Sequence, residues 1–280
     1  MSNLHNLPHL EILPVEKLIL HEYHDQQRTP PIIQSIEEDG LLRNPPVVVP
    51  LADGTGRYMV LDGANRATAL RDMGVPHTIV QTVQGTDPGL ELTSWNHVVW
   101  GVAPDTLKDW LRSVPGLNLL PSSEENLYRS LLDIHSLAML HLADGLIYTV
   151  HTQEIELVNR VRVLNALVDS YAKNTSMDRT TNYTIEPLQS MYADLSGLVL
   201  LPPFRIEDVL YLASQGHLMP TGSTRFTISG RALRINFPLE ILKDGQSLEQ
   251  KSAWLQEWLQ DNLSRKRLRY YAEPVFMFDE

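Results

Sequence analysis

The chain has 280 residues and a formal net charge of -11, from 23 basic and 34 acidic side chains. This length can form one large or two modest domains with hydrophobic cores. The acidic balance argues against general nucleic-acid binding, which requires lysine and arginine to neutralise phosphates. The absence of cysteine excludes disulfides, thiolate zinc sites and cysteine nucleophiles.

No apolar run approaches the ~18 residues that a membrane-spanning helix needs. Residues 1–6 lack the basic region and the apolar run of a signal peptide. We therefore expect a cytoplasmic protein without a membrane partner.

The first 85 residues predict a small α/β unit, because strand and helix patterns alternate along them. The pattern predicts an extended segment, a helix and three strands, at residues 10–20, 31–39, 47–49, 58–61 and 79–83. A polar cluster at residues 21–25 interrupts this series, and the turn-rich residues 84–89 end it.

Residues 86–280 predict a larger, helix-rich α+β portion. Apolar periodicity predicts helices at residues 104–114, 153–171, 206–215 and 248–268. Residues 92–100 form an apolar segment, expected to be buried, that is interrupted by Asn96 and His97. A hairpin is expected at residues 138–150, and strands are expected at residues 198–201 and 233–237. Residues 122–125 have the composition of a capping box, and the polar residues 173–181 predict a mobile loop.

Residues 58–74 contain the clearest chemical signal in the chain. A short apolar strand ends at Asp62 and Gly63, and helical spacing begins at about Ala64. A strand that turns through glycine into a helix leaves the first N–H groups of that helix unpaired, and these groups bind anions. Arg66 adds a guanidinium suited to phosphate. The alternative is an ordinary strand–helix turn with a surface arginine.

The sequence Gly63-Ala64-Asn65-Arg66 resembles the Gly-x-x-Arg phosphate loop of the ParB/sulfiredoxin-like superfamily. Upstream segments follow the order of the same superfamily, at residues 13–18, 21–25, 35–41 and 45–49. With Asp62, the box becomes the Asp-Gly-x-x-Arg of the ParB-like free L-serine kinases, which the chain resembles most. Sulfiredoxin has its catalytic cysteine where this chain has Ala64, which excludes the reductase chemistry.

This resemblance implies a ParB/sulfiredoxin-like nucleotide-binding domain over residues 1–85 and an α+β domain over residues 86–280 that completes the substrate site. It implies transfer of the terminal phosphate of ATP or ADP to free L-serine, with Mg²⁺ as cofactor and O-phospho-L-serine as product. Two alternatives remain open, a ParB-like DNA-binding or partition regulator and a nucleotide-binding regulator without catalysis. Against DNA binding, the net charge is acidic and no convincing helix-turn-helix follows residue 85.

The resemblance also implies roles for individual residues. Glu22 corresponds to the catalytic glutamate, a carboxylate that can accept the proton of the substrate hydroxyl. A solvated surface position is the alternative for Glu22, and the flanking His21 and His24 also allow a metal site. The expected nucleotide-binding residues are Ser35, Asp62, Gly63, Ala64, Asn65 and Arg66, of which Asp62 would also bind Mg²⁺ or cap the helix.

A second matching segment lies at residues 221–233. Its hydroxyl groups and arginine, in a glycine-rich loop, suit a carboxylate or phosphate, although a polar hairpin has the same composition. In the free-serine kinases a Thr-Arg-His sequence lines the amino-acid site here. The expected substrate-binding residues are Trp95, Ser223, Thr224, Arg225 and Phe226. Phe226 stands where those kinases have histidine, which removes a polar group from the site.

Overall fold

The computed structural model describes residues 7–24 and 26–271. Residues 1–6, for which no signal peptide is expected, lie outside the described residues, as does Asp25 of the polar cluster. Over the described ranges, the helices are too short or too polar to cross a membrane.

The described residues form a mixed α/β structure. In chain order the strands are β1 (His9–Pro14), β2 (Leu18–Leu20), β3 (Leu41–Leu42), β4 (Val47–Pro50), β5 (Tyr58–Asp62), β6 (His77–Thr82), β7 (Leu90–Ser94), β8 (Asn96–Trp100), β9 (Leu117–Pro121), β10 (Ser136–Leu142), β11 (Ile147–Thr152), β12 (Ser176–Thr180), β13 (Leu195–Leu200), β14 (Thr224–Ile228) and β15 (Phe237–Pro238). The α-helices are α1 (Thr29–Asp39), α2 (Ala64–Asp72), α3 (Pro104–Ser113), α4 (Leu127–Leu131), α5 (Leu157–Ala172), α6 (Glu186–Gln189), α7 (Ile206–Ser214), α8 (Leu239–Lys243) and α9 (Leu248–Ser264).

The chain divides into two compact units, and this division differs from the expected single boundary near residue 85. The first comprises the described parts of Met1–Ile19, Gln26–Gly89 and Ile228–Glu280, and the second those of Leu20–Asp25 and Leu90–Thr227. The C-terminal segment belongs to the first unit because its apolar residues complete that unit's core. Phe237, Leu242 and Leu255 are buried with Ile12 and Ile79 in one cluster.

The first unit contains a five-stranded sheet in the order β1-β6-β4-β5-β2. Strand β6 pairs antiparallel with β1 and parallel with β4, while β4 and β5 are antiparallel. Strand β5 is buried at Met59 and Val60, and it leads through Gly63 into α2, whose Ala69 and Leu70 are also buried. This buried anchoring on both sides fixes the position of the turn between β5 and α2.

The second unit contains a six-stranded sheet in the order β12-β8-β13-β10-β11-β9, in which neighbouring strands are antiparallel. Helices α3 and α5 cover one face through Leu107, Leu111, Leu164 and Tyr171. A second cluster, with Met139, Leu188 and Leu198, joins the sheet to α6. With a core on each face, this sheet is a rigid support for the residues at its strand ends.

Three local predictions are wrong. Residues 173–181 are not a loop, because Ser176–Thr180 pairs with β8 along its whole length. The strand expected at residues 233–237 is reduced to Phe237–Pro238, because Arg234 and Asn236 have positive φ angles of 51° and 49°. The capping box at residues 122–125 does not form either: a 3-10 helix, Glu124–Asn126, precedes the short α4, which has no side-chain cap.

Candidate functional site

The predicted phosphate loop lies in the first unit, where β5 passes into α2. We call residues 62–66 the glycine loop. Gly63 has a φ angle of 90°, and a Cβ atom there would lie 2.8 Å from the Arg66 guanidinium, so this position requires glycine. The Gly63 carbonyl accepts the N–H of Ala67 at 2.9 Å. The preceding N–H groups, of residues 64–66, therefore lie before the first intrahelical bond and can bind an anion.

Two arginines contact the same carboxylate oxygen in the glycine loop. The Nη2 atoms of Arg66 and Arg231 lie 2.8 Å and 2.5 Å from Asp62 Oδ2. One carboxylate and two guanidiniums leave a net positive charge, to which the N-terminal end of the α2 dipole adds. The local field therefore favours an anion, even though the whole chain is acidic.

Polar atoms without partners are concentrated at the start of α2. Asn65 Oδ1, Arg66 Nε and Thr68 Oγ1 are buried and make no hydrogen bond to the described residues. Each unsatisfied buried group costs ~1–3 kcal/mol, so a cluster of them requires an explanation such as a ligand that completes their bonding. Arg66 Nε–H and the Thr68 hydroxyl are donors, which suits phosphate oxygens.

Glu22 lies in the second unit, where a hydrogen-bond chain orients its carboxylate. Glu22 Oε2 accepts from the Thr224 hydroxyl at 3.0 Å and from the Thr224 N–H at 3.4 Å. His21 Nε2 lies 2.7 Å from the same hydroxyl. Because an ionised carboxylate can only accept, the Thr224 hydroxyl donates to Glu22 and accepts from His21 Nε2–H. Both bonds to Glu22 use Oε2, so Oε1 is the oxygen available for a substrate proton.

Two guanidiniums lie over the ring of Trp95 in the second unit. The Cζ atoms of Arg179 and Arg225 are 5.4 Å and 5.1 Å from the centre of the Trp95 ring. The Trp95 N–H donates to the Ser223 carbonyl at 3.2 Å, which ties the tryptophan to residues 221–226. We call residues 221–226 the threonine loop. The paired cations beside an aromatic face suit a small anionic group, such as an amino-acid carboxylate.

The buried His97 attaches the threonine loop to β8 and α5. Its Nε2 atom lies 2.9 Å from the Gly222 carbonyl, and its Nδ1 atom lies 2.7 Å from the Tyr171 hydroxyl. A carbonyl only accepts, so Nε2 bears the proton and Nδ1 accepts the hydroxyl of Tyr171. Burial lowers the pKa of His97 to about 4. His97 is therefore neutral at pH 7, the form that both hydrogen bonds require.

Stability should fall in acid because of His97. In the unfolded chain the pKa of His97 returns to its ordinary value of about 6.5. Between pH 6.5 and pH 4 the unfolded state therefore binds one proton more than the folded state. The contribution of His97 is present above pH 6.5 and lost as the pH falls towards 4. We expect the free energy of unfolding to drop by about 2 kcal/mol between pH 7 and pH 5 from this group. Urea unfolding at both pH values, in wild type and in His97→Gln, measures it. An equal pH dependence in the two proteins would contradict the assignment.

Comparison with known proteins extends this description. No family model matches the chain. The chain is 29% identical over 282 residues, covering 100% of both proteins, to the ATP-dependent L-serine kinase SbnI of Staphylococcus aureus. It is 26% identical over 90 residues to the ATP-dependent L-serine kinase of Staphylothermus marinus, which is 32% of this chain and 35% of that protein.

Two solved structures have similar folds. SbnI with a C-terminal truncation from Staphylococcus aureus gives a TM-score of 0.69 at 27% identity, covering 95% of this chain and 100% of that chain. A free serine kinase in complex with AMP gives 0.68 at 14% identity, covering 85% of this chain and 95% of that chain. The chain has the free serine kinase fold. The predicted resemblance to these kinases and the mixed α/β fold class are both confirmed.

Within this free serine kinase fold, the other predicted residues have different environments. Ser35 is exposed on α1, with its hydroxyl 3.4 Å from Asp39. Ser223 is buried, and its hydroxyl donates to the Pro220 carbonyl at 2.8 Å, so this group holds the turn. Phe226 and the His21 ring make an edge-to-face contact, with ring centroids 5.3 Å apart. The roles of Ser35, Ser223 and Phe226 as nucleotide or substrate contacts remain predictions.

Three residues of this free serine kinase fold were not among the predicted site residues. Arg179 lies in the segment interpreted as a mobile loop, so its position beside Trp95 was not foreseen. Arg231 lies within the predicted segment 221–233, but its pairing with Asp62 is not visible in the sequence. In the sequence, His97 interrupts the apolar residues 92–100. That interruption was the available signal, because a histidine in a buried strand requires hydrogen-bond partners.

Proposed function

We propose that the protein is a kinase that transfers the terminal phosphoryl group of a nucleotide to the hydroxyl of free L-serine. The observation that carries this proposal is the positively charged glycine loop with its unsatisfied buried donors, in a chain similar along its whole length to an ATP-dependent L-serine kinase. A similar fold also occurs in a free serine kinase in complex with AMP. A DNA-binding regulator has no comparable support.

In this proposal the first unit binds the nucleotide. Arg66 and the N–H groups of Gly63, Ala64 and Asn65 bind phosphate oxygens, because they combine a guanidinium with the positive end of a helix. Ser35 provides a hydroxyl for the same ligand. The donor is ATP or ADP, and the name of the full-length relative favours ATP.

The second unit provides the groups for the amino acid in this proposal. Glu22 accepts the proton of the serine hydroxyl as the oxygen of that hydroxyl attacks the terminal phosphorus. The bond between that phosphorus and the bridging oxygen breaks, and the electron pair leaves with the shortened nucleotide. The products are O-phospho-L-serine and ADP if ATP is the donor, or AMP if ADP is the donor.

We also propose that Mg²⁺ accompanies the nucleotide and that Asp62 is its protein ligand. Carboxylate and phosphate oxygens are the ligands that Mg²⁺ prefers. Asp62 Oδ2 already contacts Arg66 and Arg231, so Oδ1 would be the ligand atom. When bound, the ion would neutralise charge that develops on the phosphates.

The proposed function is tested by incubating the full chain with each of ATP, ADP and CTP, with L-serine, L-threonine or no acceptor, and Mg²⁺. We expect O-phosphoserine only where serine is present, with ATP or ADP as donor. A regulator that binds nucleotide without catalysis would bind the donor and form no O-phosphoserine. That result, with folded protein and measured nucleotide binding, would contradict the kinase proposal.

Arg225→Lys should raise the KM for serine. Serine offers little apolar surface, so its affinity must come from charged contacts, and lysine cannot reproduce the fork of a guanidinium. We expect a KM increase of about tenfold, equivalent to ~1.4 kcal/mol. Steady-state kinetics measure this, with Arg112→Lys as control, since Arg112 lies on α3 in an exposed ion pair with Asp109. Unchanged serine kinetics would show that Arg225 does not contact the substrate.

The same assay tests the effect of Phe226, which stands where the related kinases have histidine. Phe226→His restores the polar group found in the related kinases, next to His21. If wild type prefers another small alcohol and Phe226→His shifts the preference to serine, the threonine loop is the substrate site but serine is not the native acceptor.

A further inference from the structure

The second unit contains three metal-ligating side chains that converge from separate parts of the chain. Glu124 lies in the 3-10 helix Glu124–Asn126, His141 in β10 and Glu186 at the start of α6. One carboxylate oxygen from each glutamate and one ring nitrogen of His141 all lie within 4.8 Å of one another. Metal–ligand bonds of about 2.0–2.2 Å place ligand atoms roughly 3.5 Å apart, so a small inward movement of the exposed glutamates would complete the site.

His141 is the fixed member of this cluster. It pairs with Ile147 and Leu198 in the middle of the sheet, and only 3% of its surface is exposed. It lies two residues after Met139, hence on the same face of β10, and Met139 packs in the cluster that includes Leu188 of α6. A buried histidine held in this way is a rigid ligand and loses little freedom on binding an ion.

The hydrogen bonding of His141 is incomplete. Its Nδ1 atom is buried without a hydrogen-bond partner. Over residues 7–24 and 26–271, no hydrogen bond or ion pair joins the ring to Glu124 or Glu186, although the three groups converge. A direct salt bridge therefore does not account for the cluster, whereas an ion shared by all three groups does.

We propose that Glu124, His141 and Glu186 bind one divalent transition-metal ion, with Zn²⁺ as the ion that fits best. One imidazole nitrogen with two carboxylate oxygens is a ligand set for zinc or manganese, whereas Mg²⁺ and Ca²⁺ prefer oxygen ligands alone. Three protein ligands leave a fourth position for water. The ion would join the 3-10 helix and α6 to β10, and it is separate from the Mg²⁺ proposed at Asp62.

Zinc titration of the chelator-treated full chain, without nucleotide, tests this proposal by calorimetry and thermal unfolding. We expect one zinc ion per chain and a rise in Tm of about 5 °C at a free zinc concentration of 100 Kd. The double variant Glu124→Gln/Glu186→Gln should lose this rise and weaken zinc binding by at least tenfold, because both glutamates are exposed and can be replaced without disturbing the core. Glu125→Gln/Glu154→Gln, which replaces two other exposed glutamates, is the matched control and should bind zinc as wild type does.

Unchanged zinc affinity in the Glu124→Gln/Glu186→Gln variant would overturn the proposal, because the ion would then bind elsewhere. An equal Tm rise with Mg²⁺ would also overturn it, because His141 would not be a ligand. His141→Gln adds a direct test of the nitrogen ligand. The two glutamate variants keep the test valid if that buried substitution prevents folding.

Discussion

Glu22→Gln should reduce turnover of L-serine by about 10²–10⁴-fold while nucleotide binding stays unchanged. Glutamine keeps the shape of glutamate and can still accept the Thr224 hydroxyl through its amide oxygen. It cannot accept the serine proton, so the loss should appear in kcat and not in nucleotide affinity. The Thr224 hydroxyl, which itself accepts from His21, donates to Glu22 and holds its side chain in position, so the substitution is expected to change chemistry and not structure.

The measurement is the steady-state rate of O-phosphoserine formation, with nucleotide Kd determined separately by calorimetry. Glu16→Gln is the control, because Glu16 is an exposed glutamate at a 3-10 helix outside the proposed site. Wild-type turnover by Glu22→Gln would show that Glu22 has a structural role only.

Arg66→Ala should weaken nucleotide binding by about 1.5–3 kcal/mol, or roughly 10–150-fold, the range for hydrogen bonds to a charged group. The loss follows from two features of the glycine loop. Arg66 Nε is buried without a hydrogen-bond partner among the described residues, and Arg66 Nη2 lies 2.8 Å from the Asp62 carboxylate, whose charge it balances. Removing the guanidinium therefore deletes a hydrogen-bond donor to the phosphate. It also leaves the negative charge of Asp62 less neutralised, and this charge repels phosphate.

Calorimetric titration with ATP and ADP measures this loss. Arg57→Ala serves as the control in the same unit, because Arg57 forms an ion pair with Asp53 away from α2. Equal nucleotide affinity in folded Arg66→Ala and wild type would show that the glycine loop is a structural turn.

The glycine loop could be predicted because its information is local. A strand ending at Asp62, a turn through Gly63 and a helix beginning at about Ala64 follow from the pattern of residues 58–74 alone. The contact of Arg231 with Asp62 could not be derived in this way. It joins residues 169 positions apart, and it depends on the return of the C-terminal segment to the first unit.

The surroundings of Trp95 could not be predicted, because they depend on pairing between distant parts of the chain. Residues 176–180 contain charged and hydroxyl side chains, a composition typical of loops, yet they form the edge strand β12. The backbone bonds to β8 stabilise this strand, and composition does not reveal backbone pairing. Arg179 is placed beside Trp95 by that pairing, so its position could not be found without the register of the two strands.

The most direct test of the central claim is to follow the phosphoryl group itself. The full chain is incubated with L-serine, Mg²⁺ and a nucleotide labelled with ¹⁸O in its terminal phosphoryl group, and the products are analysed by mass spectrometry. The account predicts O-phosphoserine carrying the label, formed in proportion to the nucleotide consumed. Labelled inorganic phosphate with no labelled O-phosphoserine would contradict it.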